Sequence, residues 1–177
     1  MKRLLLMVAI VPLLAAARTQ EPKATDANPS FRAEFLVNLA EVEGKLIQLA
    51  EAVPAEKYTW RPAPGVRSVS EVLTHVAGSN YFLLTFVGAP PPPGIPADIE
   101  TITEKREVVA ELRKSFAHLR AAANTIEESG LEKPVKMFGN NTTRRGVYMT
   151  ILNHLHEHLG QSIAYARMNG VTPPWSR

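Results

Sequence analysis

The feature that most constrains this chain is a repeated pattern: long segments with apolar residues every three or four positions, separated by short clusters of proline and glycine. That spacing follows the 3.6-residue period of an α-helix with one buried face, whereas a half-buried strand needs strict alternation. No stretch of strand-like alternation and no internal repeat is found in the sequence. The first segment is expected to start near Pro29 or Ser30, with Asn28 as N-cap and Pro29 at the first helical position. Its stripe is Phe35, Leu39, Val42, Leu46 and Leu49, and Pro54 stops it. The second opens with Ser68-Val69-Ser70-Glu71, a capping box, and carries Val72, His75, Val76, Ser79, Leu83 and Phe86 before Gly88 and the run Pro90–Pro93. Thr101-Ile102-Thr103-Glu104 offers a second capping box for a helix with Val109, Leu112, Phe116, Leu119, Ala123 and Ile126, ending at Gly130. Phe138-Gly139-Asn140-Asn141 is a turn cluster. Thr142 or Thr143 then caps a fourth helix running to about Asn169, with Gly170 at C′ and Pro173-Pro174 beyond. The expected fold is all-α, an antiparallel four-helix bundle, with the proline run as an extended crossover, because proline cannot continue a helix.

The N-terminus has a different character. Lys2 and Arg3 precede an apolar run from Leu4 to Leu14, followed by Ala15-Ala16-Ala17. This is the pattern of a secretory signal peptide, and the run is too short for a permanent anchor. With no cysteine after it, a lipoprotein is excluded. The expected organisation is a signal peptide at 1–17, a flexible lead-in at 18–28 and the bundle at 29–177. The mature protein is expected to be periplasmic or secreted, without a stable membrane anchor.

Charge and cysteine content narrow the function. The 20 Lys+Arg against 17 Asp+Glu give +3. Removal of Lys2 and Arg3 takes two cations and no acid, leaving +1. Neither that balance nor any basic run suits a nucleic-acid binder. The chain has no cysteine, which excludes disulfides, thiolate zinc sites, iron–sulfur clusters and a cysteine nucleophile.

The five histidines carry the chemical signal. His154 and His158 are four apart on the fourth helix and share a face with Val147, Ile151, Leu155 and Ser162. His75 lies on the inner stripe of the second helix. Two imidazoles from one helix and one from another, all facing a bundle core, can bind a divalent metal. The alternative is three core histidines satisfied by hydrogen bonds. His156 faces away from the pair and His118 lies off its helix's stripe, so both are expected in solvent. Glu157 does not share the histidine face, and no carboxylate lies clearly on the inner stripe beside it. Gln161 either hydrogen-bonds the site or packs. Tyr58 and Trp60 either line a pocket mouth or cover the core, and Ser79 suits either the site or close helix packing.

Three motifs resemble those of the DinB family, the DinB/YfiT-like four-helix bundles. Ser68-Val69-Ser70-Glu71-Val72-Leu73-Thr74-His75 resembles the family's second-helix motif. Asn153-His154-Leu155-His156-Glu157-His158-Leu159-Gly160-Gln161 resembles its last-helix motif, and Tyr58-Thr59-Trp60-Arg61-Pro62 the segment before the second helix. The resemblance spans about Phe31 to Pro174. It implies that His75, His154 and His158 are the three metal ligands. Some members are thiol-dependent transferases or isomerases, using thiol cofactors that belong to the cytosol, whereas this chain has an export pattern.

Three imidazoles leave an open position on a zinc-like ion, where a carbonyl is polarised or a water acidified. The expected cofactor is therefore a divalent ion, zinc or nickel. The expected function is metal-assisted hydrolysis or group transfer on a small substrate of unknown identity. The alternative is a non-catalytic metal-binding or interaction bundle, compatible with a homodimer through an outer face. N-terminal sequencing of protein from its native host should begin near Arg18; intact Met1 in the cytosolic fraction would refute the export reading.

Overall fold

Helix starts are set by side chains that satisfy the free amides of the first turn. The computed structural model describes residues 28–176; the expected signal peptide, and the lead-in up to residue 27, lie outside the described residues. Helix α1 (Phe31–Ala52) is capped by Ser30, whose hydroxyl accepts from the Ala33 amide at 3.2 Å. Ser30 thus takes the role expected of Asn28, and Pro29 precedes the cap. Helix α2 (Val69–Thr85) has the expected capping box: the Glu71 amide donates to Ser68 Oγ at 3.3 Å and the Ser68 amide to Glu71 Oε2 at 2.7 Å.

The second expected capping box does not form. Ile99–Thr101 make a 3₁₀ turn, and the Thr101 hydroxyl donates back to the Asp98 carbonyl at 2.8 Å instead of capping. Helix α3 (Lys105–Asn124) starts after it with Glu104 as N-cap and no side-chain cap. It ends well before Gly130, which closes a further 3₁₀ turn at Glu128–Gly130. Val108, not Val109, takes the fully buried place on its inner face.

The connection to α4 corrects the expectation of no strand. Strands β1 (Pro134–Met137) and β2 (Asn140–Thr143) pair antiparallel, with Met137 opposite Asn140. Phe138 (φ 52°) and Gly139 (φ 81°) form the two-residue tip, and two positive φ values match a hairpin whose twist fits its strands. Four-residue strands are too short to reveal a period. Helix α4 (Arg144–Met168) is capped by Thr143, which accepts from the Gly146 amide at 3.1 Å. It ends at Asn169, with Gly170 (φ 74°) as expected at C′.

The all-α fold of four helices is the expected one, and the neighbours follow an unusual order. Helix α1 packs on α3 and α4, and α2 packs on the same two, so α1 and α2 are diagonal. Lys105 at the start of α3 donates to the Glu51 and Val53 carbonyls at the end of α1, both at 2.7 Å, so α1 and α3 are antiparallel. Phe35 near the start of α1 meets Tyr148 near the start of α4, centroids 5.2 Å apart, so these two run parallel. Val69 and Leu73 at the start of α2 share a gap with Tyr165 and Ala166 at the end of α4, making that pair antiparallel. Helices α2 and α3 are then parallel neighbours joined by the proline-rich crossover.

The core is built from the expected stripes. Leu39, Val42, Leu46, Val76, Leu112, Phe116, Ile151 and Leu155 are wholly buried. Tyr58 is buried too, its hydroxyl donating to the Ala50 carbonyl at 2.7 Å, so it covers the core rather than lining a pocket mouth. Replacing Ser68 by Ala removes one half of the α2 capping box and should lower stability by about 1 kcal/mol. Urea unfolding of the variant, with helix content unchanged before the transition, checks this.

Candidate metal centre

Where α2 and α4 cross in opposite directions, His75, His154 and His158 come together. One ring nitrogen from each lies within 4.8 Å of the others. His154 Nε2 stands 3.2 Å from His75 Nε2 and 3.1 Å from His158 Nε2. His158 is buried and the other two are half-buried. The i, i+4 spacing on α4 stacks two imidazoles on one face, and the third arrives from the facing helix.

The outer nitrogens show which atoms are free. His75 Nδ1 lies 2.7 Å from Glu100 Oε1, and Arg67 Nε donates to the other oxygen of that carboxylate at 3.2 Å. Burial acts to raise the Glu100 pKa, but the His75 hydrogen bond and the Arg67 charge outweigh it and hold it below the ordinary value. An ionised carboxylate only accepts, so His75 carries its proton on Nδ1 and leaves Nε2 as a lone pair. His158 Nδ1 donates to Gln161 Oε1 at 2.8 Å, while Gln161 Nε2 donates to the Tyr165 hydroxyl at 3.1 Å. The Nε2 of His158 is therefore also a lone pair.

Two lone pairs thus face His154 Nε2, and a neutral imidazole has one proton to give. If that proton is on Nε2, it satisfies only one neighbour. If it is on Nδ1, three lone pairs converge, and the buried Nδ1 has no partner among the described residues. A divalent cation would take up the three converging lone pairs, with the His154 proton on Nδ1. Zinc–imidazole bonds at tetrahedral angles place ligand nitrogens about 3.3 Å apart, close to the spacings found here. Hydrogen bonds from the outer nitrogen to a carboxylate or amide are the usual supports of metal-binding imidazoles.

Other expectations fare unevenly. His156 is exposed, its Nδ1 donating to the Leu152 carbonyl at 2.8 Å, and stays outside the cluster. His118 corrects the expectation of solvent exposure: it is half-buried on α3, its ring 5.5 Å from Tyr81 and its Nε2 buried without a partner among the described residues. It sits three residues from Ser115, which bonds Asn80 of α2 at 3.1 Å, so the α2–α3 seam covers it. Gln161 serves the site directly. Trp60 packs edge-on against Tyr165 at 5.5 Å, and Ser79 is half-buried one turn from His75. Glu100 and Arg67 were not legible as site residues, since neither lies on a helical stripe.

The burial of the cluster sets its pH response. His154 is lowered to about 4, by burial first and then by the charges of His158, His75 and Arg67. His158 is lowered too, by burial first, with the Gln161 hydrogen bond opposing and His75 adding to the shift. A folded pKa below the unfolded one, about 6.5, means the unfolded chain binds more protons between the two. Stability is therefore full above about 6.5 and falls as pH drops towards 4. Metal occupancy, which needs neutral imidazole, should fall in the same window. Metal content and melting temperature measured from pH 4 to 8 check this, and occupancy flat across the range would contradict it.

The comparisons with known proteins agree with this picture. The model of the DinB superfamily matches residues 38–162. No curated protein matches the sequence. A DinB-like protein from Bacillus cereus superposes with a TM-score of 0.71 at 21% identity, covering 79% of this chain and 93% of its own. A conserved protein from Enterococcus faecalis gives 0.68 at 14% identity, covering 79% and 97%. YfiT from Bacillus subtilis, described as a probable metal-dependent hydrolase with an unusual four-helix bundle topology, gives 0.65 at 17% identity, covering 86% and 95%. These three likenesses speak for the fold, and the match over 38–162 assigns the chain to its family: it belongs to the DinB superfamily.

Proposed function

We propose that this chain is an exported metal-dependent hydrolase or group transferase, with His75, His154 and His158 holding one divalent ion, zinc or nickel. The observation that carries the reading is the convergence of three Nε2 atoms, two of them stripped of protons by Glu100 and Gln161. When bound, such an ion polarises a substrate oxygen and acidifies water.

The chain's own residues prepare that chemistry. Glu100 keeps the His75 proton on Nδ1, and Arg67 keeps Glu100 ionised and in place. Gln161 does the same for His158 and is itself oriented by Tyr165. A purely structural ion would be closed by a fourth protein ligand, and the cluster among the described residues has three. This favours an open position over a structural clamp. The similarity to YfiT supports the hydrolase class, and export separates the chain from cytosolic thiol cofactors, which favours hydrolysis over thiol transfer.

Protein purified without a polyhistidine tag should carry close to one equivalent of metal. Replacing His75, His154 or His158 by Ala should each remove most of it, and replacing His156 or His118 should not. Equal loss for the His156 and His158 variants would refute the assigned face. A screen of ester, amide and thiol-transfer substrates with metal-loaded and chelated protein then separates hydrolase from transferase. Full occupancy with no metal-dependent turnover on any class would favour the non-catalytic reading.

A further inference from the structure

Between the end of α3 and the start of α4 lies a cavity of about 210 Å³, to which none of the three clustered histidines contributes. Its walls include Thr125, Ile126, Glu127, Leu131, Arg144 and Tyr148. Arg144 precedes His154 and His158 on α4 by about 15 and 21 Å along the axis. The cavity is therefore separate from the histidine centre.

Two polar groups on this wall lack the partners that their burial calls for. Tyr148 is only 4% exposed, its ring edge-on to Phe35 at 5.2 Å, and its hydroxyl makes no hydrogen bond among the described residues. A buried tyrosine hydroxyl usually has a partner. Burial raises the Tyr148 pKa above its ordinary value, and the Arg144 charge opposes the rise. The hydroxyl thus stays protonated, close to the guanidinium, and is free to donate. Arg144 is half-buried, and one of its Nη atoms donates to the Val87 carbonyl at 2.6 Å. Its side chain has no other hydrogen bond and no carboxylate partner among the described residues. By contrast Arg61, Arg67, Arg113, Arg120 and Arg145 each pair with a glutamate. Arg32 adds a second guanidinium near this wall, its Nη1 donating to the Ile126 carbonyl at 3.5 Å. The start of α4 offers no free amide here. The Arg144, Arg145 and Gly146 amides already donate to the Lys133 carbonyl, the Leu131 carbonyl and the Thr143 hydroxyl.

We propose that this cavity is a binding site for a small carboxylate that also carries a hydroxyl or ammonium donor. The carboxylate takes the free donors of Arg144 and Tyr148, and the donor meets Glu127 on the same wall. A wholly apolar ligand would leave the guanidinium without a counter-charge, and a multiply charged anion would face Glu127 as a like charge. The 210 Å³ amount to the volume of about seven waters, enough for a molecule the size of lactate or alanine. The site goes beyond the metal reading and does not depend on it.

The test is calorimetric titration of the full mature chain with lactate, alanine, propionate, 1,2-propanediol and inorganic phosphate. Lactate and alanine should bind with Kd on the order of 1 mM, propionate several-fold more weakly and propanediol not measurably. The tighter of the first two identifies the donor as hydroxyl or ammonium. Tyr148→Phe keeps the buried ring and should weaken binding about tenfold, the loss of one hydrogen bond to a charged group. Glu127→Ala, at an exposed position, should bring lactate and alanine down to the level of propionate. Arg144→Gln should abolish binding, with circular dichroism reporting its helix content; if that variant unfolds, Tyr148→Phe decides. Absence of binding for every probe overturns the site, and so does binding that survives in Tyr148→Phe at full strength. Propionate binding as tightly as lactate and alanine overturns the ligand class. Phosphate binding more tightly than either overturns it in favour of an inorganic-anion site.

Discussion

Three imidazole nitrogens facing one another cannot all be satisfied by hydrogen bonds among themselves once two of them have been left without a proton. Glu100 and Gln161 impose that condition from outside the cluster, by accepting the Nδ1 protons of His75 and His158. Burial then makes protonation an expensive way out for His154, whose pKa falls to about 4. A site that refuses both protons and mutual bonding is built for a cation. The two α4 histidines owe their spacing to helix geometry alone, but the electronic state of the centre is set by residues that would look unremarkable on any helical wheel.

The bundle order explains how those residues arrive. Parallel neighbours cannot be joined by a tight turn, so the chain must travel back along the bundle between the end of α2 and the start of α3. The proline-rich stretch makes that journey not as one extended run but through turns at 93–94 and 97–98 and the 3₁₀ turn Ile99–Thr101, since proline suits neither helix nor inner strand. Near its end, Ile99 packs against Gly78, one turn beyond His75, with its methyl group 3.2 Å from where a Cβ on Gly78 would lie. Glu100 is thereby delivered to His75. The unusual topology and the support of the first histidine are one feature: an up–down–up–down bundle with short loops would have no chain passing over this face of α2.

Much of this was written in the sequence, though unevenly. Ser68 and Glu71 marked the start of α2, Thr143 that of α4, and Gly170 its end, because caps act within a turn and leave a local signature. His154 and His158 were legible for the same reason. Glu100 was not, because its partner is 25 positions away and the contact depends on the path of a loop. His118 was misjudged because its coverage comes from Tyr81 of a neighbouring helix. The Thr101–Glu104 pattern suggested a cap, yet its hydroxyl found the closer Asp98 carbonyl. The hairpin escaped notice because its strands are short and its turn places a phenylalanine where asparagine is favoured.

Stability and site chemistry are largely separated in this architecture. The wholly buried side chains, such as Leu39, Leu46, Phe116 and Ile151, form a core to which all four helices contribute and which needs no polar partner. The histidines lie in the α2–α4 seam, His158 buried and His75 and His154 half-buried. A centre on which folding depended would be expected deep in the bundle, closed on every side by protein ligands. Here the apolar stripes already hold the helices together, so the fold does not depend on the cluster. That division of labour sets a self-sufficient apolar core beneath a polar centre.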